Sequence, residues 1–575
     1  MIQFKNLLKQ SGFARAMLLQ YRLRRGQPNW KAILANPHLP TTRPRTAPHQ
    51  KVLLATGGGG YLAATRIESL LAMALTQRGA ECHILLCDGL LPACLQCNID
   101  WQRNERRYAE HGPTRAHCDA CFKPAFDMYS SLGIRVHRYS ELLTDEDFRR
   151  ADSLASDIAL ELIGSYCENG IPVGEHAMAG ALRYYARAEL QDPYSEAVLR
   201  RYLKAAKLAA TATQRLQERE GFDKAVLHHG IYVPQGVSAA VLRQNKVAIT
   251  TWHVAYRKRT FIFSHSDTYH HTLMSEPVDT WLSMPWTPQM ESRIVGYLNS
   301  RWHGGDDWIH FNRNAVFESD LFASQTGIDL TKPTIGMLTN VMWDAQLHYP
   351  ANAFSNMREW VLHTIGKFAG RPDLQLVIRV HPAEISGTIP SRQKIADEIA
   401  KAFPKLPSNV FIVPPESKLS TYALMQLCNS AIIYGTKTGV ELTSMGIPVI
   451  VAGEAWIRNK GLSSDAQSVS DYDRMLDSLP FPAPLPAETV ERARKYAYHF
   501  FFRRMIPLEF LRPIKQEPGF ELGISSLDEL LPGRSRGLDT ICHGVLFGSE
   551  YVYPAELEPH DLPSVPLPAL SPAAV

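Results

Sequence analysis

One stretch in the C-terminal half constrains the fold more than any other. Residues 430–453 read SAIIYGTKTGVELTSMGIPVIVAG, in which two short apolar runs flank a Gly/Thr turn and a helical segment that stops at Gly446. This order is typical of a βαβ unit, which requires a parallel sheet covered by helices and therefore an α/β fold. Ligands of such sheets bind at the carboxyl ends of the strands. Thr436, Lys437 and Thr438 are thus expected to bind phosphate, while Glu441 is expected to cap the helix or hold a ribose.

A second apolar run, residues 374–380, ends in Arg379-Val380-His381-Pro382. Arg379 and His381 would enter the same crevice, and the planar guanidinium of Arg379 suits a diphosphate. This Arg-x-His-Pro sequence, followed by Gly-Thr-x-Thr-Gly-x-Glu and Gly-Ile-Pro, resembles the nucleotide-sugar half of GT-B glycosyltransferases. Over residues 52–461 the chain resembles the bacterial capsule polysaccharide biosynthesis family.

The resemblance implies two Rossmann-like domains that face each other across a cleft. Residues 49–325 would form the N-terminal acceptor domain and residues 326–475 the domain that binds the nucleotide sugar. Helices in residues 476–520 would cross back to the first domain, and residues 521–575 read as a proline-rich tail.

The resemblance also implies a function, namely metal-independent transfer of a sugar from a nucleotide sugar to a surface glycan or a lipid-linked acceptor. The glycan would be a capsule polysaccharide, an exopolysaccharide or a lipopolysaccharide. Two alternatives stay open. A phosphotransferase of the glycerol-phosphate type shares the His-Pro and Gly/Thr signatures, and a non-catalytic scaffold protein of envelope assembly would keep the fold without the reaction.

An inverting transferase needs a general base near the acceptor hydroxyl. His229, His265 and Asp267 follow apolar runs in the N-terminal half, and we expect one of them to be this base. Phrases around these residues also resemble the capsule family.

The first strand runs into Gly57-Gly58-Gly59-Gly60. Gly58, Gly60 and Ala63 fit the dinucleotide-binding fingerprint of hydride-transfer enzymes. The loop Gly58, Gly59 and Gly60 also suits the first half of a GT-B enzyme, where a substrate approaches the backbone closely, and we favour this interpretation.

Residues 90–124 carry two CxxC pairs, Cys94 with Cys97 and Cys118 with Cys121. Four thiolates at this spacing predict a structural, tetrahedral Zn²⁺ site in a knuckle insertion. The segment between the pairs is polar, so metal binding is expected to supply its folding energy. An iron–sulfur cluster and two disulfides are the alternatives.

The formal charge of +4 over 575 residues is too small to predict nucleic-acid binding. No apolar run is long enough to span a bilayer, and the cysteines favour a reducing cytoplasm. Residues 1–48 form a basic amphipathic helix and a linker. That helix either lies on the anionic inner face of the cytoplasmic membrane or docks on the protein.

Overall fold

The computed structural model describes residues 12–35, 50–303, 307–308, 324–344, 350–515 and 519–558, apart from the side chains of residues 13, 302 and 303. Its two large sheets confirm the predicted α/β fold. The linker expected within residues 36–48 lies outside the described residues.

The first sheet has seven strands in the order β13-β6-β5-β4-β1-β2-β3. Strands β1 to β5 pair in parallel, whereas β6 and β13 are antiparallel additions at one edge. The strands are Lys51–Gly57 (β1), Glu81–Leu86 (β2), Arg135–Arg138 (β3), Lys224–His228 (β4), Ala248–Val254 (β5), Thr260–His265 (β6) and Ile506–Pro507 (β13).

The second sheet has six strands in the order β12-β11-β10-β7-β8-β9, all parallel. The strands are Thr334–Leu338 (β7), Gln375–Arg379 (β8), Val410–Val413 (β9), Ser430–Ile433 (β10), Val449–Val451 (β11) and Ser464–Asp465 (β12). The strand order reverses between β7 and β10 here, and between β1 and β4 in the first sheet. Such reversals are where ligands bind in open α/β sheets.

The helices of the first half cover both faces of its sheet. They are Gly12–Gly26 (α1), Trp30–Leu34 (α2), Leu62–Gln77 (α3), Glu105–His111 (α4), Arg115–Ser130 (α5), Asp145–Asp157 (α6), Val173–Tyr185 (α7), Ser195–Glu220 (α8), Val237–Gln244 (α9), Tyr269–Ser275 (α10), Asp279–Leu282 (α11) and Pro288–His303 (α12).

The helices of the second half alternate with its strands and then leave that sheet. They are Met357–Ala369 (α13), Ala383–Ser386 (α14), Ile395–Ala402 (α15), Thr421–Gln426 (α16), Thr438–Ser444 (α17), Val469–Asp477 (α18), Ala487–Tyr498 (α19) and Arg536–Phe547 (α20).

After α19 the chain returns to the first sheet. Ile506 of β13 pairs with Phe261 of β6, and Arg494 of α19 forms an ion pair of 2.6 Å with Glu291 of α12. Residues 521–558, predicted to belong to a tail, are folded instead. Strand Leu511–Pro513 (β14) pairs with Phe520–Leu522 (β15), and α20 buries Leu538, Ile541 and Cys542. The proline-rich composition applies to the end of the segment, and residues 559–575 lie outside the described residues.

The cysteine-containing segment is not a separate insertion. α5, which carries Cys118 and Cys121, crosses from β2 to β3 and so belongs to the sheet's own connections. Tyr108 of α4 is fully buried and stacks on Tyr184 at a centroid distance of 4.5 Å. The segment thus packs into the core of the first half instead of forming a core of its own, and Tyr108 is part of that core.

α1 docks on α5 and keeps one face exposed. Ala16 and Leu23 are buried, while Met17, Leu18 and Tyr21 are 51%, 61% and 59% exposed. Among the described residues, no helix has the length and apolarity needed to span a membrane.

Candidate active site

The candidate site is a cleft of about 430 Å³ between the carboxyl edges of the two parallel sheets. Residues of the first half that line it include His229, His253, Tyr256 and Arg301. The second half contributes the end of β7 with Asn340 and Asp344, the end of β8, and the turn after β10. The side chain of Asn340 donates 2.9 Å to the carbonyl of Gly435, which joins the β7 and β10 ends at the reversal point.

The turn after β10 brings three predicted phosphate ligands into the cleft, namely Thr436, Lys437 and Thr438. The hydroxyls of Thr436 and Thr438 lie 3.1 Å apart. The Lys437 ammonium lies 4.9 Å from the ring centroid of Tyr256 and 2.7 Å from the carboxylate of Glu441. Burial lowers the pKa of Lys437, and Arg301 lowers it further, while Glu441 opposes the shift.

Glu441 does not line the cleft, a position that argues against the predicted ribose contact, and α17 has no side-chain cap. Its side chain is 2% exposed and pairs with Lys437 and, at 3.3 Å, with Arg301 Nε. Although burial favours the neutral acid, Arg301 and Lys437 lower the pKa of Glu441 to about 2. Glu441 therefore fixes two cations at the wall of the cleft. The sequence could not show this, because Arg301 comes from α12 in the other half.

Arg379 and His381 both line the cleft, as predicted from the end of β8. The Arg379 guanidinium donates to the carbonyls of Pro414 and Ser417, at 2.5 and 3.1 Å. No carboxylate of the described residues forms an ion pair with it. Burial lowers the pKa of Arg379 to about 10, while the charge of Glu416 opposes the shift. Burial, with Lys437 and Arg379 nearby, lowers the pKa of His381 to about 4, and this imidazole is neutral at pH 7.

Of the three predicted bases, only His229 lines the cleft. It follows β4 with a left-handed backbone (φ +60°), and its ring lies 5.3 Å from that of His253. Its Nδ1 is buried and has no partner among the described residues. Burial, with His228 and His253 close by, lowers the pKa of His229 well below the usual value. A neutral imidazole in this position can accept a proton.

His265 and Asp267 lie outside the cleft. His265 stacks on Tyr551 at 4.3 Å, and its Nε2 lies 2.8 Å from the carbonyl of Ser549. Asp267 lies 3.0 Å from His271 Nδ1, and His271 Nε2 lies 3.3 Å from Glu454, which does line the cleft. Asp267 is thus placed to position His271 and Glu454.

The glycine loop packs on α5 instead of facing the cleft. A Cβ atom on Gly59 would lie 2.5 Å from the carbonyl of Cys121, and one on Gly60 would lie 3.1 Å from Cys121 Sγ. The absence of side chains therefore permits close packing of α5. The predicted approach of a substrate to Gly58, Gly59 and Gly60 is not supported, since none of them lines the cleft.

The four CxxC cysteines line a second, smaller cavity under this loop. Cys94 and Cys97 lie in a turn with sulfur atoms 3.9 Å apart, whereas Cys118 and Cys121 lie one helical turn apart in α5. The prediction of two knuckles is wrong for the second pair, which is helical. Zinc binding stays a prediction. Cys87, at the end of β2, lines the same cavity and is a fifth thiol that the spacing did not indicate.

A different set of potential metal ligands, His83, His137 and Glu220, has its donor atoms within 4.8 Å of one another. Arg219 donates to His137 Nδ1 at 2.8 Å, so His137 must donate from Nε2 to His83 Nδ1, also at 2.8 Å. His83 then donates to Glu81 at 2.9 Å. Both rings satisfy their hydrogen bonds in this chain, which accounts for the cluster without a metal.

The family model described as capsule polysaccharide biosynthesis protein matches residues 328–475. Residues 328–475 therefore resemble this capsule family. This capsule segment runs from before β7 into α18. It contains all the residues that the second half contributes to the cleft as described above. The resemblance predicted from the Arg-x-His-Pro and Gly-Thr-x-Thr-Gly sequences is confirmed.

Solved structures similar to the chain include KpsC, a β-Kdo 2,4-transferase of Thermosulfurimonas dismutans. The two chains are 12% identical with a TM-score of 0.33, and the alignment covers 48% of this chain and 80% of that chain. The spinosyn rhamnosyltransferase SpnG has 12% identity and a TM-score of 0.24, covering 78% and 95%. The UDP-GlcNAc 2-epimerase of Neisseria meningitidis has 11% identity and a TM-score of 0.22, covering 78% and 96%. A comparison with curated proteins finds no match. At these TM-scores the similarity carries no argument about the activity of the chain.

Proposed function

We propose that the protein transfers a glycosyl group from a nucleotide sugar to a surface glycan, such as a capsule polysaccharide, an exopolysaccharide or a lipopolysaccharide, or to a lipid-linked acceptor. One observation carries this proposal. Within the capsule segment, Thr436, Lys437 and Thr438 face a cleft whose opposite wall holds the neutral imidazole of His229.

The second half binds the donor in this proposal. The two threonine hydroxyls and the Lys437 ammonium contact the phosphates, together with Arg379 and His381. As the bond between the sugar and the phosphate breaks, negative charge develops on the phosphate oxygen, and a fixed cation stabilises it in a cleft of low dielectric constant. Glu441 keeps Lys437 and Arg301 in place. These cations provide the stabilisation that a metal provides in other transferases, so the transfer itself is metal-independent.

The first half binds the acceptor. His229 accepts the proton of the attacking hydroxyl while the new glycosidic bond forms. Asp267 and His265, which do not reach the cleft, take no direct part. Asp267 instead holds His271, whose other nitrogen contacts Glu454 in the cleft wall.

Nucleotide binding tests the donor site. Thermal unfolding and calorimetric titration with CMP, CDP, UDP and GDP should show one preferred nucleotide. Thr438→Val should weaken its binding about 10-fold, since one hydrogen bond to a charged phosphate contributes about 1.5 kcal/mol. Thr540→Val, on the exposed face of α20, is the matched control and should bind like the parent.

The titration also separates the alternatives. If no nucleotide binds, the non-catalytic scaffold is the better explanation. A phosphotransferase of the glycerol-phosphate type would bind a nucleotide but transfer phosphate together with the attached group, which mass analysis of the product distinguishes from sugar transfer.

We further propose that the protein works on the cytoplasmic side of the inner membrane, with α1 on the lipid surface. Met17, Leu18 and Tyr21 form an exposed apolar patch, and Arg22, Arg24 and Arg25 are exposed beside it. Apolar contacts and basic side chains act together at an anionic surface.

Vesicles containing phosphatidylglycerol test this contact. The parent should sediment with them at low salt, and a variant with Met17→Ser, Leu18→Ser and Tyr21→Ser should bind several-fold less, because about 0.8 kcal/mol is lost for each buried CH₂ group removed. Leu557→Ser, at a residue 69% exposed elsewhere, is the control. A parent chain that stays in the supernatant excludes the lipid contact.

A further inference from the structure

We propose that the cysteine cavity of the first half holds a binuclear iron–sulfur centre, with Cys94 and Cys97 bound to one iron and Cys118 and Cys121 to the other. This inference rests on the cavity alone and does not depend on glycosyl transfer. Three cysteine-containing segments meet there: the start of the loop after β2, the turn that carries Cys94 and Cys97, and the first half of α5. The cysteines that line the cavity are Cys87, Cys94, Cys97, Cys118 and Cys121.

The separations of the sulfur atoms argue against one zinc ion. Four thiolates around a single ion, each about 2.3 Å from it, would all lie about 3.8 Å apart. Cys94 and Cys97 have nearly this separation, at 3.9 Å. However, among the described residues no three cysteines have their sulfur atoms within 4.8 Å of one another. This spacing is wider than that of ligands of one ion and favours a centre with two metal ions.

A two-iron cluster accounts for two separate pairs of cysteines. Each iron of such a cluster is bound by two cysteine thiolates, and sulfide ions bridge the two irons. The sulfur atoms within a pair are then close together, while the two pairs lie on opposite sides of the cluster. The cavity that the cysteines line measures about 40 Å³. One water molecule needs roughly 10–15 Å³, so the space exceeds that of a single small ligand.

The lining of the cavity suits a cluster. It consists of the five thiols, glycine, apolar residues, Thr56, Gln96, Gln235, Tyr61 and the His117 imidazole, with no Lys, Arg, Asp or Glu side chain. Arg115 and Arg183, whose charges act on Cys118 and Cys97, lie outside this lining. Cysteine thiolates are the ligands of iron–sulfur clusters, so the five thiols make the lining suitable for one.

The centre would also fix the glycine loop below the cleft. A Cβ atom on Gly60 would lie 3.1 Å from Cys121 Sγ, and one on Gly89 would lie 2.8 Å from Cys118 Cβ. Tyr61, which follows the glycines, lies 4.7 Å from the ring of His228, the neighbour of His229. We assign the centre a structural role, in which it holds these segments together.

Metal analysis of the full chain, purified without oxygen, tests the inference directly. We expect about two iron and two acid-labile sulfide per chain with visible charge-transfer absorption, and almost no zinc. Incubation with ferrous iron and sulfide should restore the same ratio in protein that has lost the cluster. About one zinc per chain without iron overturns the inference, and so does a chain that takes up neither metal. About four iron per chain also overturns the binuclear assignment.

Variants locate the site. Cys118→Ser should retain less than about a fifth of the parent's iron, because the cluster loses one of its four ligands. Cys167→Ser, at an exposed cysteine away from the cavity, should retain all of it. If Cys118→Ser fails to fold, the parent's metal content still decides the question. Equal iron in the parent and a folded Cys118→Ser variant places the metal elsewhere.

Discussion

His229 lies in a turn with left-handed backbone conformations, which few non-glycine residues adopt. Its φ is +60°, the following Gly230 has φ +74°, and Tyr232 has φ +68°. Non-glycine residues in this conformation are uncommon, and they persist where the surrounding structure holds them. Here the turn lets Tyr232 donate 2.9 Å to Asp344 of the second half, which fixes the turn against the opposite wall of the cleft.

At the residue scale, we expect His229→Asn to lower turnover by about two to four orders of magnitude, because a general base is lost. Nucleotide affinity should stay within about 2-fold of the parent, since the phosphates contact the other half. Rates and nucleotide titrations on the folded variant provide the measurement.

His265→Asn is the matched comparison, because it removes the same side chain outside the cleft. Its turnover should stay close to that of the parent. If instead His265→Asn abolishes turnover and His229→Asn does not, the base lies on β6 and our placement of the acceptor is wrong.

The sequence predicts some of these residues and misses others for a physical reason. The carboxyl ends of parallel strands lie at one edge of a sheet. The local sequence pattern is therefore enough to predict the residues that lie at or just after the ends of buried strands, namely Thr436, Lys437, Arg379 and His381. Asp344 follows β7 by the same rule. The pairing of Arg301 with Glu441 depends on tertiary packing between the two halves, and periodicity carries no information about it.

At the scale of elements, α10 is tied to the loop after β11 by a charged bridge. His271 of α10 contacts Asp267 at 3.0 Å and Glu454 at 3.3 Å. Burial would lower the pKa of His271, but the two carboxylates outweigh it and raise the pKa to about 10. The bridge joins an element of the first half to one of the second.

The pH dependence of stability follows from this shift. The pKa of His271 is raised on folding from 6.5, so its contribution is complete below pH 6.5 and is lost as pH rises towards 10. His271→Gln should lower the free energy of unfolding by about 1–2 kcal/mol near pH 6. This value is smaller than the full pKa shift implies, because Asp267 is partly exposed and solvent screens its charge. The difference from the parent should approach zero near pH 10.

Urea unfolding of parent and variant at several pH values measures this effect. His543→Gln, an exposed histidine on α20, is the control and should follow the parent at every pH. A His271→Gln difference that is constant with pH would show that the imidazole is not charged in the folded chain.

Elements also show where the prediction of the fold succeeds and where it fails. The alternation of strands and helices in the second half is regular, and the apolar runs predicted within residues 374–380 and 430–453 are the strands β8, β10 and β11. The prediction of a tail from residue 521 is wrong up to residue 558. The elements α20 and β15 are short and are surrounded by glycine and proline, so their sequence pattern is weak. Their apolar side chains are buried only because the first half supplies a surface.

At the scale of the whole molecule, several hydrogen bonds and one strand pairing join the two halves. Lys460 donates to the carbonyls of Met274 and Glu276, at 3.0 and 2.8 Å, and Lys495 of α19 donates to that of Leu282 at 2.7 Å. β13 then extends the first sheet. The cleft is therefore formed by two sheets that the C-terminal part of the chain holds in one arrangement, which the proposed transfer requires.

The most direct test of this account is a transfer assay on the full chain. CMP-, UDP-, GDP- and dTDP-linked sugars are incubated with surface glycan fragments or a lipid-linked acceptor, and the products are analysed by mass spectrometry. We predict that one donor releases its nucleotide while the acceptor gains the mass of one sugar, and that Thr438→Val slows this reaction whereas Thr540→Val does not. If a folded chain that binds a nucleotide transfers no sugar from any of these donors, or transfers phosphate with it, the assignment of glycosyl transfer to this cleft is contradicted.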